Sequence, residues 1–125
     1  MSNVPAQQAF TEFLAAFGLP VYGNESVPDG ASFPYITYAW TGTDFWGGTA
    51  SLEVDVWYRG PSESEPNRMV ATMSKTLGGG KMIACDGGAM WLRKGSPFVQ
   101  SLGDSTDRDI HRRYILIDVD FYTTY

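Results

Sequence analysis

Apolar residues first recur at helical spacing. Phe10, Phe13, Leu14 and Phe17 form one stripe, which predicts an opening helix from about Pro5 to Phe17. Asn3 is placed to cap its start, Pro5 is tolerated in the first turn, and Gly18 suits its end. From Leu19 to Pro34, Pro20, Gly23, Asn24, Pro28, Asp29 and Gly30 break any period and predict a loop. The pattern then changes to alternation. Tyr35–Trp40 reads as a strand. From about Thr49 to Tyr58, the apolar Leu52, Val54, Val56 and Tyr58 alternate with Ser51, Glu53 and Asp55. One buried face and one wet face fit antiparallel pairing, so these two strands should form a hairpin. Its glycine-rich connection, Thr41–Gly48, carries Phe45 and Trp46 at its tip.

Gly60-Pro61 ends the hairpin. A second helix should follow, started by a Ser62–Glu65 capping box or by Ser64 as cap with Pro66 in the first turn. It places Met69, Val70, Met73 and Leu77 on one face and stops at Gly78-Gly79-Gly80. Lys81–Cys85 and Ala89–Lys94 flank Asp86-Gly87-Gly88, a hairpin signal, and Ser96–Leu102 reads as a further strand. The polar, charge-alternating Gly103–Asp109 leads to the last strand, Arg112–Tyr122. There Ile115, Ile117, Val119 and Phe121 share one face, while Tyr114, Leu116, Asp118, Asp120 and Tyr122 share the other. The order predicts one α+β domain over residues 1–125, a mostly antiparallel β-sheet with two α-helices packed on one face.

Composition narrows what such a domain does. A chain of 125 residues buries a core without disulfides, and its single cysteine, Cys85, excludes an intramolecular bridge or a multi-cysteine zinc site. The net charge of −5 argues against gripping nucleic acid, since Arg112-Arg113 is the closest approach to a basic stripe. No apolar run approaches the roughly 20 residues needed to cross a bilayer. The start, Met1–Gln8, lacks the basic and apolar regions of a secretory signal, so the expectation is a soluble protein made in the cytoplasm, without membrane contact. Aromatic residues make up 14% of the chain, enough to fill a core and also to supply interface anchors.

Nucleophilic catalysis needs a base beside a serine or cysteine and a third group to orient it. The lone histidine, His111, lies in a charged run, and Cys85 lies in a predicted strand where an inert thiol is the ordinary outcome. Gly80-Lys81 fails the phosphate-loop pattern at Lys75 and at Met82, and Asp104, Asp107 and Asp109 lack the glycine and terminal glutamate of a calcium loop. No cofactor is expected. Two acidic pairs remain, Glu53/Asp55 and Asp118/Asp120. On neighbouring strands they could cluster and hold Mg²⁺, as in metal-dependent nucleases; against that, no lysine follows at active-site spacing, and the pattern is what any solvated strand face presents.

Four segments together carry a resemblance. They are the N-terminal helix, the entry Phe33-Pro34-Tyr35-Ile36-Thr37-Tyr38, the strand Val54-Asp55-Val56-Trp57-Tyr58 before a helix, and the closing Arg113–Phe121 strand. In these the chain resembles, over nearly its full length, the tail-terminator (tail-completion) proteins of long-tailed bacteriophages; a head–tail neck or minor tail component would look much the same. The resemblance implies a virion-tail protein, made in the host cytoplasm, that forms a ring, typically hexameric, on the head-proximal end of the tail tube. Its partners would be itself, the tail-tube protein and the head connector or neck proteins. The resemblance carries no catalytic residues. Phe45 and Trp46 are candidate interface anchors, unless they fold back onto their own sheet. Asp107, Arg108, Asp109 and Arg112 are candidates to pair between subunits, unless the segment is a solvated loop. Glu53, Asp55, Asp118 and Asp120 would then line an acidic channel through which DNA slides without being bound.

Overall fold

The computed structural model describes residues 4–40 and 49–123. The elements run α1 (Ala6–Ala15), β1 (Val21–Gly23), β2 (Tyr35–Ala39), β3 (Thr49–Arg59), α2 (Ser64–Leu77), β4 (Lys81–Cys85), β5 (Gly88–Gly103) and β6 (Ile110–Thr123). The six strands form one sheet in the order β1-β2-β3-β6-β5-β4. Every neighbouring pair is antiparallel except β1 and β2. The fold is therefore α+β with a mostly antiparallel sheet, and the expected β2–β3 and β4–β5 hairpins are both present.

The long, unbroken alternations fold as their period dictates. Leu52, Val54 and Val56 of β3 and Ile115, Ile117 and Val119 of β6 are buried together at the centre of the sheet. Met90 and Leu92 of β5, Phe10 and Leu14 of α1, and Met73 and Leu77 of α2 complete this core. α2 lies against β3, β5 and β6.

α1 is placed differently. It touches both β4 and β1, which are opposite edges of the sheet. A ten-residue helix is about 15 Å long, whereas six flat strands span about 24 Å between outer strands. The sheet therefore curls until one short helix bridges its two edges. Side chains seat that helix. The Phe10 ring lies 6.1 Å from Tyr38 and 5.8 Å from Trp40, and the Tyr38 hydroxyl is within hydrogen-bond distance of Thr11 Oγ1. One backbone bond, from Asp86 N–H to Val4 O at 2.7 Å, ties the chain just before α1 to the end of β4.

Several local expectations need correction. α1 ends at Ala15, because the amides of Phe17 and Gly18 turn back to the carbonyls of Leu14 and Ala15 in tighter three-residue bonds. Its start is Pro5, without a side-chain cap, and Asn3 lies outside the described residues. Neither expected cap of α2 forms. Ser64 is already helical, and the Ser62 hydroxyl accepts from Ser64 N–H rather than from Glu65, so Glu63 holds the cap position. The loop expected over 19–34 contains β1, a strand too short between Pro20 and Gly23 to show a period. Ala89–Lys94 and Ser96–Leu102 are one strand, β5, in which residues 95–98 span the interval that Leu116 alone spans on β6. Gly95 is buried there, and a Cβ would come within 2.8 Å of the Leu116 carbonyl oxygen.

Gly80 is similarly constrained. Its φ is +140°, and a Cβ would run into the Trp91 indole. Gly80→Ala is expected to cost about 1–3 kcal/mol in urea unfolding. Gly79→Ala, facing open space, should stay within about 0.5 kcal/mol of wild type. No helix among the described residues is long and apolar enough to cross a membrane.

Candidate functional site

β3 and β6 are neighbours, as the acidic-cluster idea requires, but their register separates the two pairs. Glu53 and Asp55 stand opposite Leu116 and Tyr114, while Asp118 and Asp120 stand opposite Ser51 and Thr49. Each carboxylate then finds its own partner. Asp55 accepts from Arg112 Nε at 2.7 Å and Nη2 at 3.2 Å, and Glu53 accepts from the Tyr114 hydroxyl at 2.8 Å. Asp118 accepts from Ser51 Oγ at 2.7 Å. Asp120 accepts from Thr49 Oγ1 at 2.6 Å and from Arg93 Nε at 3.1 Å. Among the described residues, no group of three or more His, Cys, Asp or Glu side chains converges on a point where a metal ion could sit.

The hydrogen bonds shift the groups that donate them. The bond to Asp55 pushes the Arg112 pKa up, against the opposing effect of burial. The bond to Glu53, followed by burial, pushes the Tyr114 phenol up. Two of the four carboxylates are thus paired to arginine, leaving Glu53 and Asp118 as the carboxylates on this face held by hydroxyls alone.

Arg112 also ends a row of rings crossing the sheet. Tyr22, Tyr35 and Trp57 stand on β1, β2 and β3, with centroids 5.9 and 6.2 Å apart. The Arg112 guanidinium lies 5.1 Å from the Trp57 ring, and the indole N–H donates to Thr37 Oγ1 at 2.9 Å. A ring row with one carboxylate-clamped cation makes a stiff surface. The sequence held these residues but not the strand order that aligns them.

The candidate pairing segment is also engaged within its own chain. Asp107 accepts from Asp109 N–H at 2.9 Å and from Arg59 Nε at 3.0 Å, which hold its carboxyl below the usual range. Asp104 accepts from Thr106 Oγ1, Thr106 N–H and Asp107 N–H, in the manner of an Asx turn, and is likewise lowered. The Asp109 carbonyl accepts from Gly60 N–H at 2.8 Å, and Arg108 is exposed. Arg112 lies on the sheet face rather than in the loop. Phe45 and Trp46 lie outside the described residues.

His111 and Cys85 take structural positions. His111 Nε2 is 2.9 Å from the Gly60 carbonyl, so that nitrogen carries the proton and the ring ties β6 to the turn after β3. Cys85 is fully buried; burial, and secondarily Asp86, pushes its thiol pKa up. A raised folded pKa means that the folded state holds this proton more tightly. The thiol's contribution is therefore intact below the ordinary value of about 8.5 and is lost as pH rises above it. At pH 8 a thiol reagent should label Cys85 only along the urea unfolding curve. Labelling in native buffer at the rate of a free cysteine would contradict its burial.

The residue sequence reasoning missed is Arg113, only 2% exposed, which donates to Glu63 and Asn67 at the start of α2. Its place in the alternation with Ile115, Ile117 and Val119 was the available signal. No protein-family model, curated protein or solved structure matches the chain.

Proposed function

We propose that this protein works by assembly: a phage virion protein whose copies form a ring, of six by the resemblance, on the head-proximal end of the tail tube. The ring ends tube polymerisation and offers the surface to which the head connector or neck proteins join. In this reading the protein is not an enzyme, acts in the virion tail, and is made in the host cytoplasm. In this reading both helices pack on one face of the sheet and the other face is left to carry contacts or line a channel.

The observation that carries the reading is how the polar sheet face is built. Its four carboxylates are held separately, by Arg112, Arg93 and three hydroxyls, so the face is an ordered surface rather than a convergent centre. Polar, solvent-accessible surface of this kind fits the rim of a protein contact. The four segments that carry the resemblance fall in α1, at β2, at the end of β3 before α2, and in β6. If the face lines the channel, Glu53 and Asp118 supply its repulsion of DNA, since Asp55 and Asp120 are paired to arginines.

Light scattering with and without the tail-tube protein tests the proposal. The expected result is a ring-sized species that forms with the tube protein, together with loss of tail-length control when the gene is disrupted. A monomer under both conditions and normal tails from the disrupted gene would reject it.

A further inference from the structure

Two neighbouring hollows open where the chain after α1, the entry to β2 and the first half of α2 meet. The larger, of about 480 Å³, has Phe17, Pro34 and Met69 as apolar walls. The smaller, of about 260 Å³, lies along the turn after β3 and the start of α2, with the hydroxyl-bearing Ser62 and Ser64 in its wall. Tyr58 and Glu65 line both, so they stand where the hollows adjoin. Volumes of this order, with apolar walls and a few polar groups, are usual for binding sites.

Tyr58 closes the buried alternation of β3 and is only 8% exposed, yet its hydroxyl makes no hydrogen bond among the described residues. Such a group calls for a partner. No fully buried side-chain oxygen or nitrogen among the described residues lacks one, so this hydroxyl reaches the surface, and the surface Tyr58 lines is that of the hollows. Burial, and after it Glu65, push the phenol pKa up, so the hydroxyl stays a protonated donor at neutral pH. Glu65 is near enough to exert that effect, but its exposed carboxylate enters no hydrogen bond or ion pair among the described residues.

We infer that this cleft binds an extended peptide segment of a partner protein, with an apolar side chain in the larger hollow and a small polar side chain two residues away in the smaller. The backbone of the residue between them bonds to Tyr58 and Glu65. In an extended chain the N–H and C=O of one residue point to the same side, so the C=O accepts from the Tyr58 hydroxyl while the N–H donates to the Glu65 carboxylate. Residues on either side of it share a face, which sends their side chains into the two hollows. A peptide is favoured over a small apolar ligand because the free donor and acceptor stand between two hollows of different character. The site goes beyond the assembly reading and holds for a chain that forms no ring.

The probe is the capped tripeptide acetyl-Leu-Ala-Ser-amide, titrated into the full chain and followed by amide chemical shifts. Saturable shifts should centre on the end of β3 and the first half of α2. Acetyl-Gly-Ala-Ser-amide, without the apolar side chain, should bind roughly tenfold more weakly or worse. Tyr58→Phe keeps the ring and removes a hydroxyl that has no partner in the fold, so its unfolding curve should match wild type while its affinity falls about 2–10-fold. Glu65→Ala, at an exposed site, should weaken binding at least as much. 3-Methylbutanol, which carries the leucine side chain without a backbone, separates a peptide site from a plain apolar pocket. The inference is overturned by an absence of saturable shifts, by shifts centred elsewhere, by both variants binding like wild type, or by the alcohol binding as tightly as the tripeptide.

Discussion

Replacing Phe10 with alanine is expected to remove about 3–5 kcal/mol of folding stability. Phe10 is fully buried, and its ring centroid lies 6.4 Å from Phe13, 6.1 Å from Tyr38 and 5.8 Å from Trp40. Truncation loses the transfer free energy of the ring and leaves a void where α1 bridges the two sheet edges. Because α1 makes no ladder bonds to the sheet, it is held by side chains, with Phe10 beside Ala9 and Leu14 in the core and Phe13 and Phe17 packed against it, and by the Tyr38–Thr11 hydroxyl contact and the Val4–Asp86 backbone bond. Against a typical total of about 5–15 kcal/mol, the loss is a large share. It should appear as a lower urea midpoint with an unchanged slope. Phe13→Ala, at a half-buried position, should cost less than half as much. In hydrogen exchange, amides of β1 and β4 should lose protection before those of β3 and β6. Equal losses from the two variants would show that Phe10 is not what seats the helix.

Sequence and structure agree where the physics is local and part where it is long-range. The alternation of β3 and β6 is unbroken over many residues, so face and strand were legible together. Gly78 to Gly80 marked the end of α2, and Asp86-Gly87 marked the β4–β5 turn. β1 was hidden because three residues cannot establish a period, and β5 looked like two strands because Gly95 and Pro97 interrupt its alternation. The acidic pairs alternate along β3 and β6 with the buried apolar residues. Their separation depends on register, which sets Glu53 opposite Leu116 across more than half the chain. Register at that distance follows from how whole strands bury their apolar faces, so no local spacing reveals it. The curl of the sheet was equally invisible, since it follows from one helix touching both edges.

Arg113 shows what alternation implies when a charged residue occupies a core-phase position, and its replacement gives the second large expected effect. Arg113→Ala should cost about 2–3 kcal/mol, while Arg113→Met should cost under about 1 kcal/mol. The ion pair it makes is uneven. The Arg113 side chain is 3% exposed, but its partner Glu63 is 62% exposed. Guanidinium bonds to Asn67 Oδ1 at 3.0 and 3.3 Å and to Glu63 Oε1 at 3.1 Å tie β6 to the start of α2. When the arginine is removed, Glu63 and the exposed Asn67 regain water, so no buried charge is stranded. What alanine loses is the packed stem and the tie to α2; methionine keeps much of that volume and removes the cost of burying a cation. Glu63→Gln, which keeps an acceptor at an exposed site, should change stability by less than about 1 kcal/mol. Urea unfolding at pH 7 measures all three. If Arg113→Met proves as damaging as Arg113→Ala, the charged hydrogen bonds rather than the filled volume hold α2 against the central strand.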